Sequence, residues 1–226
     1  MVTDEFRRCR MAALEEVYEK FSGYLEKEDK QKCVEYILDI LKVGEISIAD
    51  LYEKILAPSL DNMPPSEEEF FIWREHVRSS IIRTVIECCY PYVLKLIRES
   101  GQRMDKGKVL LVCPPEEYHE LGIRVGSDFF NICGYSTILV GANTPLEVLL
   151  RGLELEKPKY IAISVSNYYN LFAAKKIADE VSAVNKSVII LACGNAFLKD
   201  RSLSGKIGAK GVVNSIGDIR ALEEGF

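Results

Sequence analysis

The chain reads as α/β in class: an N-terminal four-helix bundle followed by a flavodoxin-like, doubly wound domain with a parallel five-stranded sheet. Up to about residue 100 the apolar residues recur at helical spacing. After the polar stretch Gly101-Gln102-Arg103-Met104-Asp105-Lys106-Gly107 they fall instead into short continuous runs separated by amphipathic segments, the pattern of strands buried on both faces between crossover helices. With 226 residues, 48% of them apolar, there is material for two modest cores. The expected domains are therefore 1–100 and 107–226.

Four helices are predicted in the first half, over 4–26, 29–42, 47–60 and 66–99. Their apolar stripes are carried by residues such as Cys33, Tyr36, Ile37, Ile40 and Leu41, then Ile48, Leu51, Tyr52 and Ile55. Ser47 can cap the third helix with its hydroxyl, and Asp50 in the first turn suits the helix dipole. Pro64-Pro65 ends the preceding element, and Ser66-Glu67-Glu68-Glu69 opens the fourth helix. Pro91 should break or kink that helix, because it lacks an N–H and crowds the carbonyl four residues back.

In the second half the strands are expected at 108–113, 135–140, 159–164, 187–193 and 210–213. Helices should fill 118–133, 145–156, 169–184, 199–207 and 216–224.

Composition narrows the function. A net charge of -5 with no Lys/Arg cluster argues against direct nucleic-acid binding. No stretch of 18 uncharged apolar residues is present, so neither a membrane span nor a signal segment is expected, and a cytoplasmic location is. Seven cysteines without C-x-x-C spacing fit reduced thiols, with Cys88-Cys89 as core packing. No nucleophile–base pair or phosphate loop appears, so the isolated chain is not read as an enzyme.

Open α/β sheets bind ligands beyond the carboxyl ends of their strands, where strand order reverses. At those ends lie Pro114-Pro115-Glu116-Glu117-Tyr118-His119, Ser164-Val165-Ser166-Asn167 and Cys193-Gly194-Asn195-Ala196-Phe197. Hydroxyls, a glycine that permits close backbone approach, and an acid two residues before a histidine gather at one edge. An imidazole whose second nitrogen donates to a carboxylate is held in the tautomer that ligates a metal.

Glu117-x-His119-x-x-Gly122, Ser164 and Gly194-Asn195-Ala196-Phe197 resemble the signature of cobalamin-binding domains, D-x-H-x-x-G followed by serine and glycine motifs. The resemblance implies that His119 is the lower axial cobalt ligand, with the dimethylbenzimidazole base displaced (base-off, His-on). It also implies that Glu117 orients the imidazole, and that Gly122, Ser164, Ser166, Gly194 and Asn195 line the site. A four-helix cap often precedes the domain in that family, and Tyr52 to Leu60 resembles its second half.

The segment around Trp73-Arg74-Glu75-His76 resembles the W-x9-E-H cap helix of B12-dependent photoreceptor regulators, which implies that Ile72, Trp73, Glu75 and His76 approach the upper ligand. This sequence departs from the pattern in three places. Pro65 stands at the family tryptophan, with Phe70, Phe71 or Trp73 as aromatic substitutes. Glu117 replaces the commoner Asp and reaches one methylene further. Gly194-Asn195 replaces Gly-Gly, which would narrow the nucleotide tunnel.

Two functions follow from the resemblance. One is a sensor or regulatory module, with adenosylcobalamin favoured and methyl- or hydroxocobalamin as other forms, acting through a protein regulator because no DNA-binding domain precedes the bundle. The other is a corrinoid carrier that passes a methyl group for a partner methyltransferase. A homo-oligomer is compatible with both. A cofactor-free interaction protein is the third reading, in which the motif matches are accidental.

Overall fold

The computed structural model describes residues 2–62, 68–101 and 103–223. Pro64, Pro65, Ser66 and Glu67 lie outside the described residues, and with them the position of the family tryptophan. The chain divides into two compact units, 1–95 and 96–226.

In the helical unit, α1 (Val2–Glu26) buries Val17, Phe21 and Leu25, a strict four-residue repeat on one face. The next helix, α2 (Lys30–Val43), is capped by the Asp29 side chain, which accepts from the Lys32 N–H, and ends at Gly44 in the left-handed region. It buries Cys33, Ile37, Ile40 and Leu41.

The predicted third helix is not uniform. Ser47 caps it as expected, with the Asp50 N–H donating to its hydroxyl at 3.0 Å. One turn, α3 (Ile48–Asp50), then gives way to a π-helical segment, Leu51–Leu56, before α4 (Ala57–Asp61). The cause is local. Pro58 cannot donate to a carbonyl of the preceding turn, and the Ala57 N–H reaches five residues back to Tyr52 instead.

The long helix α5 (Glu68–Glu99) runs through Pro91 to Glu99 without the expected break. It buries Ile81, Ile82, Val85, Ile86, Cys89 and Val93, and packing of this stripe outweighs one lost hydrogen bond.

In the α/β unit all strand pairs are parallel: β1 (Lys108–Val112), β2 (Ser136–Gly141), β3 (Tyr160–Ser164), β4 (Ile189–Cys193) and β5 (Gly211–Val212). Their order is β2-β1-β3-β4-β5, so the chain reverses its direction of growth between β1 and β3. A cleft at the carboxyl ends of those two strands is the topological consequence.

The helices are α6 (Leu121–Ile132), α7 (Leu146–Glu156), α8 (Leu171–Val184), α9 (Asn195–Lys199), α10 (Leu203–Lys206) and α11 (Ile216–Ala221). Leu110, Val112, Ile161, Ile163, Ile190 and Ala192 bury against Leu149 and Leu153 of α7 and Ala174, Ile177 and Val181 of α8. These strand residues form one face of the sheet; the alternate residues Val109, Leu111, Ala162 and Leu191 are buried as well, which is the two-faced burial that continuous apolar strands require.

Three boundaries differ from expectation. Residues 118–120 stay in a loop before α6. A 3-10 turn, Tyr168–Asn170, precedes α8. The expected helix over 199–207 is split into α9 and α10, and α9 begins at Asn195, inside the segment read as a loop.

The six described cysteines are free thiols, with Cys89 fully buried. No helix among the described residues is long and apolar enough to cross a membrane.

Candidate functional site

The loop after β1 is shaped before any side chain is considered. Glu116 sits at φ 67°, in the left-handed region, and its N–H donates to the Asn143 Oδ1 at 3.0 Å. In return the Asn143 N–H donates to the Glu117 carbonyl, and the Thr144 N–H to that of Cys113. The β1 loop is thereby stitched to the loop after β2.

That stitching turns the Glu117 side chain inward, where it is 0% exposed. Its Oε1 accepts from the His119 backbone N–H at 3.1 Å and lies 2.6 Å from His119 Nδ1. Its Oε2 accepts from the Ser166 N–H at 2.9 Å, the Asn167 N–H at 3.0 Å and the Asn170 Nδ2 at 3.1 Å. Burial alone would push the carboxyl pKa up. Hydrogen bonds from His119, Asn167, Asn170 and Ser166 overrule it and hold the group at about 2. A buried carboxylate stays charged here because each oxygen is saturated with donors.

The His119 side chain remains 56% exposed. A carboxylate at Nδ1 selects the Nδ1–H tautomer, which makes Nε2 the lone-pair nitrogen. The extra methylene of glutamate over aspartate is spent on reaching the segment after β3, where three of the five donors lie.

Gly122 stands in the first turn of α6, and a Cβ there would meet nothing within 4 Å. No neighbour in the chain demands glycine at this place, although glycine within a helix costs about 1 kcal/mol against alanine.

Gly194 is different. Its φ is 94°, and a Cβ would come within 2.6 Å of the Val165 carbonyl oxygen. The glycine is required by the approach of the β4 end to Val165, whose carbonyl accepts from the Ala196 N–H. This approach within the chain by itself requires glycine at the position. Gly194→Ala should cost about 2–4 kcal/mol, from strain plus overpacking, and a chemical-denaturation midpoint unchanged from wild type would contradict that account.

Ser164 is buried at the end of β3, in register with Cys193. Its hydroxyl works to lower the pKa of the Cys113 and Cys193 thiols, against the larger effect of burial. Burial pushes both thiols up, Cys193 to about 12, so neither is a thiolate at neutral pH. Ser166 contributes its backbone N–H to Glu117, not its hydroxyl. Asn195 opens α9.

Glu117, His119, Gly122, Ser164, Ser166, Gly194 and Asn195 are thus gathered at the carboxyl edge of the sheet. Ile72, Trp73, Glu75 and His76 lie on α5 in the helical unit. Ile72 and Trp73 are 56% and 65% exposed, His76 is exposed, and the half-buried Glu75 accepts from the Ser79 hydroxyl at 3.4 Å.

Three residues of this edge were missed in the sequence. Asn170 holds Glu117, Asn143 anchors Glu116, and Glu120 accepts from the Ala142 N–H and from Arg124. The Asn-x-x-Asn spacing after Ser166 was a signal for the first, but it was absorbed into the expected helix 169–184.

Residues 107–218 match the family model described as the B12 binding domain. No curated protein matches the chain. Among solved structures it is similar to the monomethylamine corrinoid protein of Methanosarcina barkeri. The TM-score is 0.76 at 16% identity, over 92% of this chain and 97% of that one, which is a likeness of fold. Two further likenesses are a novel cobalamin-binding protein from Desulfitobacterium hafniense DCB-2 and the methanol:cobalamin methyltransferase complex MtaBC from Methanosarcina barkeri. The first has TM-score 0.49 and 13% identity, over 95% of this chain and 97% of that one. The second has TM-score 0.48 and 15% identity, over 94% and 82%.

Proposed function

From the match of residues 107–218 to the B12 binding domain model, we propose that the chain holds cobalamin base-off with His119 Nε2 as the lower axial ligand and works with a protein partner. The observation that carries the reading is the pair at 2.6 Å, a buried and fully hydrogen-bonded carboxylate fixing an exposed imidazole beyond the switch point of the sheet. One imidazole cannot hold an ion by itself, whereas a corrin brings its own equatorial nitrogens. The open space at Gly122 fits a ligand laid against the start of α6. When bound, an alkylcobalamin would supply a cobalt–carbon bond that light can cleave or whose alkyl group can pass to an acceptor. The chain's part is to bind it and fix the imidazole from below.

Two roles are compatible with such a holder. The sensor reading, with adenosylcobalamin, draws support from the Glu75-His76 pair and its exposed neighbours Ile72 and Trp73. The methyl-carrier reading draws support from a fold likeness that runs over 92% of the chain to a corrinoid protein.

The test is a titration of the purified chain with adenosyl- and methylcobalamin. Saturation at about 100 times Kd should stabilise the fold by roughly 2.7 kcal/mol, or about 5–10 °C in Tm. No shift with either compound would overturn the proposal. Green light separates the roles: a sensor prefers the adenosyl form and changes its elution volume on illumination. A carrier shows no light-dependent change in size and accepts methyl groups from a partner enzyme.

A further inference from the structure

We infer that the helical unit holds a small carboxylate anion against Arg78, at a site walled by Ser22 of α1 and Ser59 of α4. Arg78 stands where an apolar residue is expected. It lies one turn before Ile81 and Ile82, at the head of the buried stripe of α5 that continues through Val85, Ile86, Cys89 and Val93. The residue is 7% exposed, and its Nε is buried without a hydrogen-bond partner. Among the described residues no carboxylate forms an ion pair with the guanidinium. Burial works against its charge, and Glu26, Tyr18 and Cys33 favour that charge only from a distance. A buried charge without a close counter-charge is costly, and a bound anion removes that cost.

The neighbouring polar atoms share the same want of a partner. Tyr18 and Glu26 lie two turns apart on α1, and Ser22 sits midway between them on the same face. Its hydroxyl is buried and unpartnered. The Asn62 side chain donates to the Tyr18 hydroxyl at 3.3 Å, which brings the end of α4 to this stretch of α1. Ser59, one turn earlier on α4, is 0% exposed, and its hydroxyl also has no partner. Three helices thus direct unsatisfied donors to one region of the unit.

The donors decide the ligand. A water would serve the two hydroxyls, but it brings no charge to the guanidinium. Nε–H and the adjacent Nη–H form a fork that matches the two oxygens of a carboxylate, and serine hydroxyls can fill the remaining lone pairs. One negative charge balances one arginine, whereas a dianion such as phosphate would leave a second charge near Glu26. The enclosure of Arg78 excludes a partner protein's side chain and selects a free carboxylate of the size of formate or acetate. Bound there, it would pin the part of α5 that carries Glu75 and His76, one turn away.

The test uses the full chain without cobalamin, with sodium formate and sodium acetate as probes at constant ionic strength. In a proton–nitrogen correlation spectrum of the arginine side chains, the Arg78 Nε–H signal is assigned by its loss in Arg78→Met. That signal should shift saturably with either salt. At about ten times Kd the wild-type Tm should rise by about 3–6 °C. Arg78→Met keeps most of the bulk and removes the charge, so its Tm should not respond. Ser22→Ala and Ser59→Ala should each weaken binding about tenfold, the loss of one hydrogen bond to a charged group. No saturable shift of the Nε–H signal, or an equal Tm rise in Arg78→Met and wild type, overturns the inference and leaves a buried water as the occupant. If Arg78→Met does not fold, Arg78→Lys supplies the assignment and the wild-type titration decides. No arm involves cobalamin, so failure of the proposed function leaves this result standing.

Discussion

His119→Ala is expected to leave a folded chain that no longer binds cobalamin His-on. The bound corrin spectrum should move to that of a base-on or water-ligated form, and affinity should fall by about 100-fold or more, since loss of an outer-shell partner alone costs about 10–100-fold. Stability should change little. The imidazole is more than half exposed, and Glu117 keeps four of its five donors, including the backbone N–H of residue 119 itself. Spectra and melting curves recorded on the same sample check both halves of the expectation. An unchanged spectrum removes His119 from the cobalt, and a collapsed melting curve contradicts the placement of the ring outside the core.

Glu117→Ala should do the opposite, damaging the fold before any ligand is added. Leaving a buried donor without its acceptor costs about 1–3 kcal/mol, and here the N–H groups of His119, Ser166 and Asn167 and the amide of Asn170 would lose their acceptor together. Urea or guanidinium unfolding of the ligand-free protein measures it.

The same group makes stability depend on acid. Its pKa falls from 4.5 in the unfolded chain to about 2 in the folded one. The carboxylate therefore contributes its full stabilisation above about pH 4.5, of the order of 3 kcal/mol, and loses it as the pH falls toward 2. In Glu117→Gln, which keeps the side-chain size, the slope of stability against pH in that window should flatten. An identical slope in wild type and variant would show that the acid sensitivity lies elsewhere.

The order of elements was legible because it rests on periodicity. The β1–β5 runs and the polar break after residue 100 need only the alternation of apolar and amphipathic segments. The Glu117-x-His119 pair was legible because its two members are two residues apart, so one loop suffices to bring them together. Asn170 was not, since it lies 53 residues further along the chain, at the start of what periodicity reads as helix. The part played by the Ser166 backbone was hidden, because a sequence shows the hydroxyl and not which N–H a strand end will point at a neighbour. The π-helical segment before Ala57 escaped for a related reason. Its side chains keep a helical stripe, while the departure is in the backbone, at a proline that looks tolerable so near a helix end. Gly194 was read as a glycine that permits close backbone approach. Only the placement of the Val165 carbonyl shows that a close approach within the chain requires it.

The stitching of the β1 loop bears on the thermodynamics of capture. Glu116 and Glu117 are held by Asn143 on one side and by Ser166, Asn167 and Asn170 on the other. Ordering a free backbone residue costs about 1–2 kcal/mol in conformational entropy. This loop meets that cost when the sheet forms, so the arrival of a ligand does not incur it again. Association should then proceed with a small entropic penalty on the protein side, the lower face behaving as a preformed socket rather than a segment that folds around its guest.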